Sequence, residues 1–171
     1  MGEIARHAGV SKGTLYVYFD SKEQLFQAIV EEECHVQAEQ VLALDSDDHD
    51  VEAVLLRLGK DFVRFLCSPT RVSPLRAVIS IADRMPELGK RFYETGPASG
   101  IARVARYLED QVATGILAID DYELAAAQFL DSCQSTTFKP LMFNAAGPPS
   151  DERIDYVVGT AVRTFLVAYR R

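Results

Sequence analysis

Apolar residues recur along most of this chain at intervals of three and four, the spacing that lines one face of an α-helix. Val54, Leu55, Leu58, Phe62, Phe65 and Leu66 predict a helix over 51–67, ended by Ser68-Pro69-Thr70. Leu75, Val78, Ile79 and Ala82 mark a helix over 74–85, and Leu88, Phe92 and Tyr93 a short one over 87–95. Gly96-Pro97-Ala98-Ser99-Gly100 reads as a sharp turn, after which Val104, Ala105, Leu108 and Val112 carry a helix over 101–114 that Gly115 caps. Asp121 opens a long helix to about 143, with a kink or interruption expected at Lys139-Pro140. Beyond a Gly- and Pro-rich loop at 144–150, Ile154, Val157, Val158, Ala161, Val162, Phe165, Leu166 and Tyr169 make the last helix apolar over more than half its circumference. Such a helix needs cover on two sides. No alternating strand pattern occurs, so the expected fold class is all-α.

The first residues carry a different signal. Ile4–Leu25 reads as a short helix, a tight turn at Gly9, a second short helix capped by Ser11, and the capped start of a third. Ile4, Ala5, Ala8, Val10 and Leu15 are the small and medium apolar residues that two closely crossing helices need. That is the helix-turn-helix pattern, whose second helix lies in the DNA major groove. This helix would present Ser11, Lys12, Thr14, Tyr16, Val17 and Tyr18, with Gly13 allowing close approach of a phosphate. Ser21-Lys22-Glu23-Gln24 has the form of a capping box, which puts Lys22 in the first turn of a helix whose start already favours anions. Phe19 and Leu15 are read as core. The helix from Lys22 is expected to run to about 44, and Asp45–Asp50 to form a solvated loop.

The run Gly9-Val10-Ser11-Lys12-Gly13-Thr14-Leu15-Tyr16-Val17-Tyr18-Phe19, followed by Ser21-Lys22-Glu23-Gln24-Leu25, resembles the DNA-binding signature of the tetracycline-repressor (TetR) family of bacterial transcription regulators. The resemblance covers about the first thirty residues. It implies a homodimer with an N-terminal DNA-binding domain over 1–30, a connecting helix to about 44, and a C-terminal domain over 51–171 that binds a small molecule and dimerises. The implied function is a ligand-responsive regulator, a repressor that holds a palindromic double-stranded operator and is released by an apolar or amphipathic effector. The family also carries a further helix ahead of the motif, whereas this sequence starts inside the second. A domain without its first helix is therefore expected, and with it an alternative: a helical ligand-binding dimer that does not bind DNA.

The resemblance places a ligand cavity among the middle helices, where Phe62, Phe65, Leu66, Tyr93, Tyr107, Phe129, Cys133 and Phe138 are the candidate lining. Arg76, Arg84 and Tyr107 are candidates to fix a polar ligand end, and the plain alternative is that all of these fill the core. Leu130, Thr137 and Leu141, with Val158, Val162 and Phe165, are the candidate dimer face, a four-helix arrangement across a twofold axis.

Charge changes this picture only locally. The net charge is −7, yet residues 1–30 balance, and residues 31–50 carry eight acids and no Lys or Arg. The acidity is one block, from Glu31-Glu32-Glu33 to Asp50, so Lys12 and Lys22 must count through their placement. Cys34, Cys67 and Cys133 are odd in number and far apart, which argues for a reducing cytoplasm and against a disulfide framework. Cys34, His35 and His49 fit no zinc spacing. No Gly-x-Ser-x-Gly elbow, phosphate loop or acid–base constellation is present, so neither an enzyme nor a cofactor is expected. No apolar run is long enough to cross a bilayer, and no membrane partner is expected.

Overall fold

The computed structural model describes residues 1–22, 24–26, 28–29 and 44–171. The expected connecting helix lies partly outside these residues, and Cys34 and His35 lie wholly outside them. Helix α1 (Gly2–His7) stops at Ala8, and Gly9 turns the chain with φ +68°, the left-handed conformation glycine adopts without strain. Helix α2 (Lys12–Tyr18) begins at Ser11, whose hydroxyl accepts from the Thr14 backbone N–H at 3.0 Å. Residues 22, 24–26 and 28–29 are helical again.

Helix α3 (Val51–Leu66) starts at Asp50, which accepts from the Ala53 N–H. Of the expected stripe Val54, Leu55 and Leu58 are buried, joined by Val51 and Val63, while Phe62, Phe65 and Leu66 are half-buried. Helix α4 (Pro69–Ile81) begins earlier than the expected 74, because Pro69 occupies the first helical position, where its missing N–H costs nothing. Pro74 sits inside it. Helix α5 (Pro86–Tyr93) does not end in the expected turn. The backbone passes through a π-helical segment, Glu94–Ala98, directly into α6 (Ser99–Ala113). Pro97 has no N–H for the Tyr93 carbonyl, and the wider π turn carries the proline without breaking the helix. Gly115 then closes α6 with φ +82°.

Helix α7 (Tyr122–Gln134) is capped by Asp121, which accepts from the Leu124 N–H. The expected helix to 143 is instead two. Pro140 would collide with the carbonyl of Thr136 in a continuous helix, and the chain breaks over 135–137 before α8 (Phe138–Met142). Helix α9 (Asp151–Tyr169), capped by Ser150, completes the fold. Its end is stitched back to the turn after α6: Ala118 N–H donates to the Tyr169 carbonyl and Arg171 N–H to that of Ile116. Among the described residues this is an isolated β-bridge and there is no strand.

One core runs through α3, α6, α7 and α9. Gly59 lets α3 approach closely, since a Cβ there would lie 2.7 Å from Val158 Cγ1 and 3.0 Å from Cys133 Sγ. Phe129 and Phe165 meet edge to face at 5.5 Å. Burial pushes the Cys133 thiol up to about 12 and raises that of Cys67, against a hydrogen bond with Thr137 that lowers it.

The candidate dimer residues are corrected by this core. Leu130, Thr137, Leu141, Val158, Val162 and Phe165 are all buried within the single chain. Cover for the wide apolar face of α9 comes from α3 and α7 of the same chain, which the apolar pattern alone cannot distinguish from a partner. The outward side of α9 instead carries Tyr156, Thr160, Arg163, Thr164 and Val167, and that of α7 Leu124, Gln128 and Ser132.

The 45–50 loop is largely exposed, as expected, but it is also tied to α6. Gln111, fully buried, donates from Nε2 to the Ser46 carbonyl. Its Oε1 lies 3.0 Å from His49 Nδ1, so His49 is the donor there. Tyr107 donates its hydroxyl to the Asp48 carbonyl and Ser46 to Asp110 Oδ2. Burial first, and then the nearby Asp48 charge, push the Tyr107 phenol up to about 12.

Candidate nucleic-acid interface

Helix α2 has no buried side chain. Val17 is 79 % exposed, Tyr18 72 % and Tyr16 45 %, an unusual display of large apolar and aromatic surface on seven residues. Leu15 and Phe19, read as core, are half-buried, and Ala5 and Leu25 are buried. The Ser11 hydroxyl is engaged twice, by the Thr14 N–H and at 2.8 Å with the Thr14 hydroxyl, so its first task is to hold the start of the helix. Lys12 Nζ stands over the Tyr16 ring, 5.8 Å from its centroid, a weak cation–π contact between two exposed side chains.

Gly13 is in ordinary helical conformation, and a Cβ there would meet only Ser11 Oγ at 3.6 Å. Nothing within the chain requires glycine, although glycine costs helix stability of about 1 kcal/mol. The space it leaves faces outward.

Ser21 accepts from the Gln24 N–H at 3.0 Å, and the Gln24 side chain accepts in return from the Asp20 N–H. The expected reciprocal cap is therefore formed, with the return bond one residue earlier than the standard pattern. It leaves Lys22 exposed in the first turn beyond α2. Ser11, Lys12, Gly13, Thr14, Tyr16, Val17, Tyr18 and Lys22 are thus all solvent-facing on a short helix and the turn that follows it.

The candidate effector residues do not gather in the same way. Tyr107, Phe129 and Cys133 are fully packed in the core and present no surface. Tyr93 is 57 % exposed on α5. Phe62, Phe65 and Leu66, on the last turns of α3, are half-buried, with the Arg71 guanidinium 4.4 Å from the Phe65 ring. Arg76 is spent on protein: it donates to the carbonyls of Leu141 and Met142 and to Asn144 Oδ1, closing the end of α8. Arg84 is exposed. Among the described residues no cluster of His, Cys, Asp and Glu is placed to hold a metal, and no helix is long and apolar enough to cross a membrane.

An exposed recognition helix on a helix-turn-helix, followed by a larger helical domain, defines a DNA-binding regulator. Comparison with known proteins makes the class specific. Residues 1–29 match the profile of the bacterial regulatory proteins of the tetR family, and residues 53–171 that of the AefR-like transcriptional repressor C-terminal domain. The chain belongs to the TetR family of transcriptional regulators, which are not enzymes. Among solved structures it is similar to a putative TetR-family regulator from Mesorhizobium loti MAFF303099, at 28% identity and TM-score 0.91, covering 99% of this chain and 86% of that one. It is also similar to the flavonoid-responsive regulator FrrA, at 30% identity and TM-score 0.84, covering 99% and 86%. The repressor SmeT of the Stenotrophomonas maltophilia multidrug efflux pump SmeDEF shares the fold, at 20% identity and TM-score 0.59, covering 98% and 78%. No curated protein sequence matches.

Proposed function

We propose that this chain is a cytoplasmic repressor that binds a palindromic operator as a homodimer and leaves it when a small amphipathic molecule binds the C-terminal domain. The observation that carries this reading is α2, a helix that buries none of its own side chains and points Tyr16, Val17 and Tyr18 outward. Two such helices, related by a twofold axis, would enter successive major grooves about 34 Å apart. Lys12 and Lys22 would position the unit on phosphates, and Val17 would sit against a thymine methyl. The outward sides of α7 and α9, with Leu124, Tyr156 and Val167, are the proposed dimer face. Phe62, Phe65 and Leu66 remain the proposed effector contacts, and the flavonoid response in the name of FrrA favours an aromatic effector. An effector acts only through its different affinity for the two states of the dimer.

The test is fluorescence anisotropy with DNA flanking the chain's own gene, for this chain and for one extended upstream by one helix. Saturable binding that falls with salt supports the reading. Failure of both chains, each a folded dimer by sedimentation, would leave a ligand-binding helical dimer that does not engage DNA.

A further inference from the structure

Phe26, in the helical residues that follow the Ser21 cap, and Phe92 of α5 both pack against Val78 of α4, in an apolar cluster separate from the main core. Leu25 beside it is buried and Val78 is 3 % exposed. This cluster joins the recognition unit to the second domain. The π segment Glu94–Ala98 begins two residues after Phe92. The far half of α6 is held at the 44–50 loop through Tyr107 and Gln111. Helix α5, by contrast, buries a single side chain, Leu88. The π turn is thus the point at which α5 could change register against α6.

A π turn holds one residue more than an α turn. If Glu94–Ala98 rewinds as α-helix with no residue removed, α5 slips by one residue against α6. Phe92 then rotates by about 100° and shifts by about 1.5 Å along the axis. An aromatic ring turned that far leaves Val78 and uncovers one side of the seat that Phe26 uses. Pro97 opposes the rewinding, since an interior proline costs an α-helix about 3 kcal/mol, so the π form is the resting state.

We propose that Glu94–Ala98 is a register switch: its π form seats Phe92 on Val78, where Phe26 also rests, and its α form withdraws Phe92 and loosens the hold of the second domain on the recognition unit. The switch deepens the regulator reading above and supplies its route between domains.

Two variants of the full chain separate the switch from simple damage. Gly96→Ala with Pro97→Ala favours the α form at unchanged length and should displace Phe92. Deletion of Pro97 also favours α-helix, but it removes the extra residue and so keeps Phe92 in register. Backbone hydrogen exchange over residues 22–29 is the first readout. The double substitution should raise it at least tenfold and the deletion should leave it within twofold of the parent, while Phe92→Ala should match the double substitution. Anisotropy with DNA upstream of the gene should follow the same order. The proposal is overturned if the two helix-favouring variants behave alike, or if the double substitution or Phe92→Ala leaves exchange unchanged. Because exchange needs no DNA, absence of DNA binding by the parent would overturn the regulator reading and leave this result to stand by itself.

Discussion

Gly59 faces Val158 across the contact of α3 with α9, so closely that a Cβ on the glycine would lie 2.7 Å from Val158 Cγ1. In an isolated helix, Gly59→Ala would stabilise by about 1 kcal/mol. Here the added methyl meets two side chains, Cys133 Sγ being 3.0 Å away, and overpacking of this kind costs about 1–3 kcal/mol. Gly59→Ala should therefore lower the urea midpoint, and Val158→Ala should absorb most of that penalty. Equal penalties in the two backgrounds would disprove the close approach.

Arg76 ties α4 to the end of α8 through two carbonyls and Asn144. Arg76→Met leaves those acceptors without a charged donor and should cost about 1–3 kcal/mol. The loss should be local, so limited proteolysis ought to cut first within 138–150. Unaltered cleavage and an unchanged melting temperature would show the clasp to be idle.

Alkali should weaken the fold before it reaches the surface lysines. Tyr107 and Cys133 both titrate near 12 in the native chain, against ordinary values of 10 and 9. Both are acids whose neutral form the fold protects, so the unfolded state loses protons first and stability declines as pH rises. Their contribution is intact below about 9 and falls progressively up to about 12. Urea midpoints at pH 7, 9 and 10.5 should decrease in that order, and less steeply in Cys133→Ala. A flat profile from pH 7 to 10.5 would contradict the burial of both groups.

At the DNA face, three substitutions should fail in three ways. Lys22→Ala should weaken all sequences alike and reduce the salt slope by about one unit. Val17→Ala should reduce discrimination at one thymine, by about 1–3 kcal/mol at most; equal affinity for altered and unaltered operators would remove it from base reading. Gly13→Ala should leave folding intact, since only Ser11 Oγ lies near the new methyl, yet weaken binding by obstructing the backbone.

Periodicity made the helices legible, and local chemistry made their starts legible. Ser11, Ser21 and Asp121 cap where the sequence placed helix starts, whereas the last helix is capped by Ser150, one residue before the Asp151 that its charge suggested. The recognition helix was legible from its local pattern, the turn at Gly9, the Ser11 cap and the signature run over 9–19, and not from hydrophobicity, which for Tyr16, Val17 and Tyr18 would have suited a core equally well. Proline was harder to read. Pro69 starts a helix, Pro97 widens one and Pro140 stands just past a break, and which of these occurs depends on whether the orphaned carbonyl and the ring find room. The apolar width of α9 was visible, but one chain and two chains can bury such a face equally well. Gly59 and Gln111 gave no signal at all: one matters for what it lacks, and the other because a loop some 65 residues away in sequence closes over it.

Helix α9 supplies Ile154, Val158, Ala161, Val162, Phe165 and Leu166 to a core begun by α3, a hundred residues earlier. On the ribosome, α3, α6 and α7 are therefore complete while their shared apolar face is still open to water. The second domain cannot close until residues past 166 have left the exit tunnel, and for those seconds its hydrophobic groove is available to chaperones and to neighbouring nascent chains. Synthesis that stalls within α9 should yield a chain that is helical and yet sticky, because the notch at Gly59 has nothing to receive.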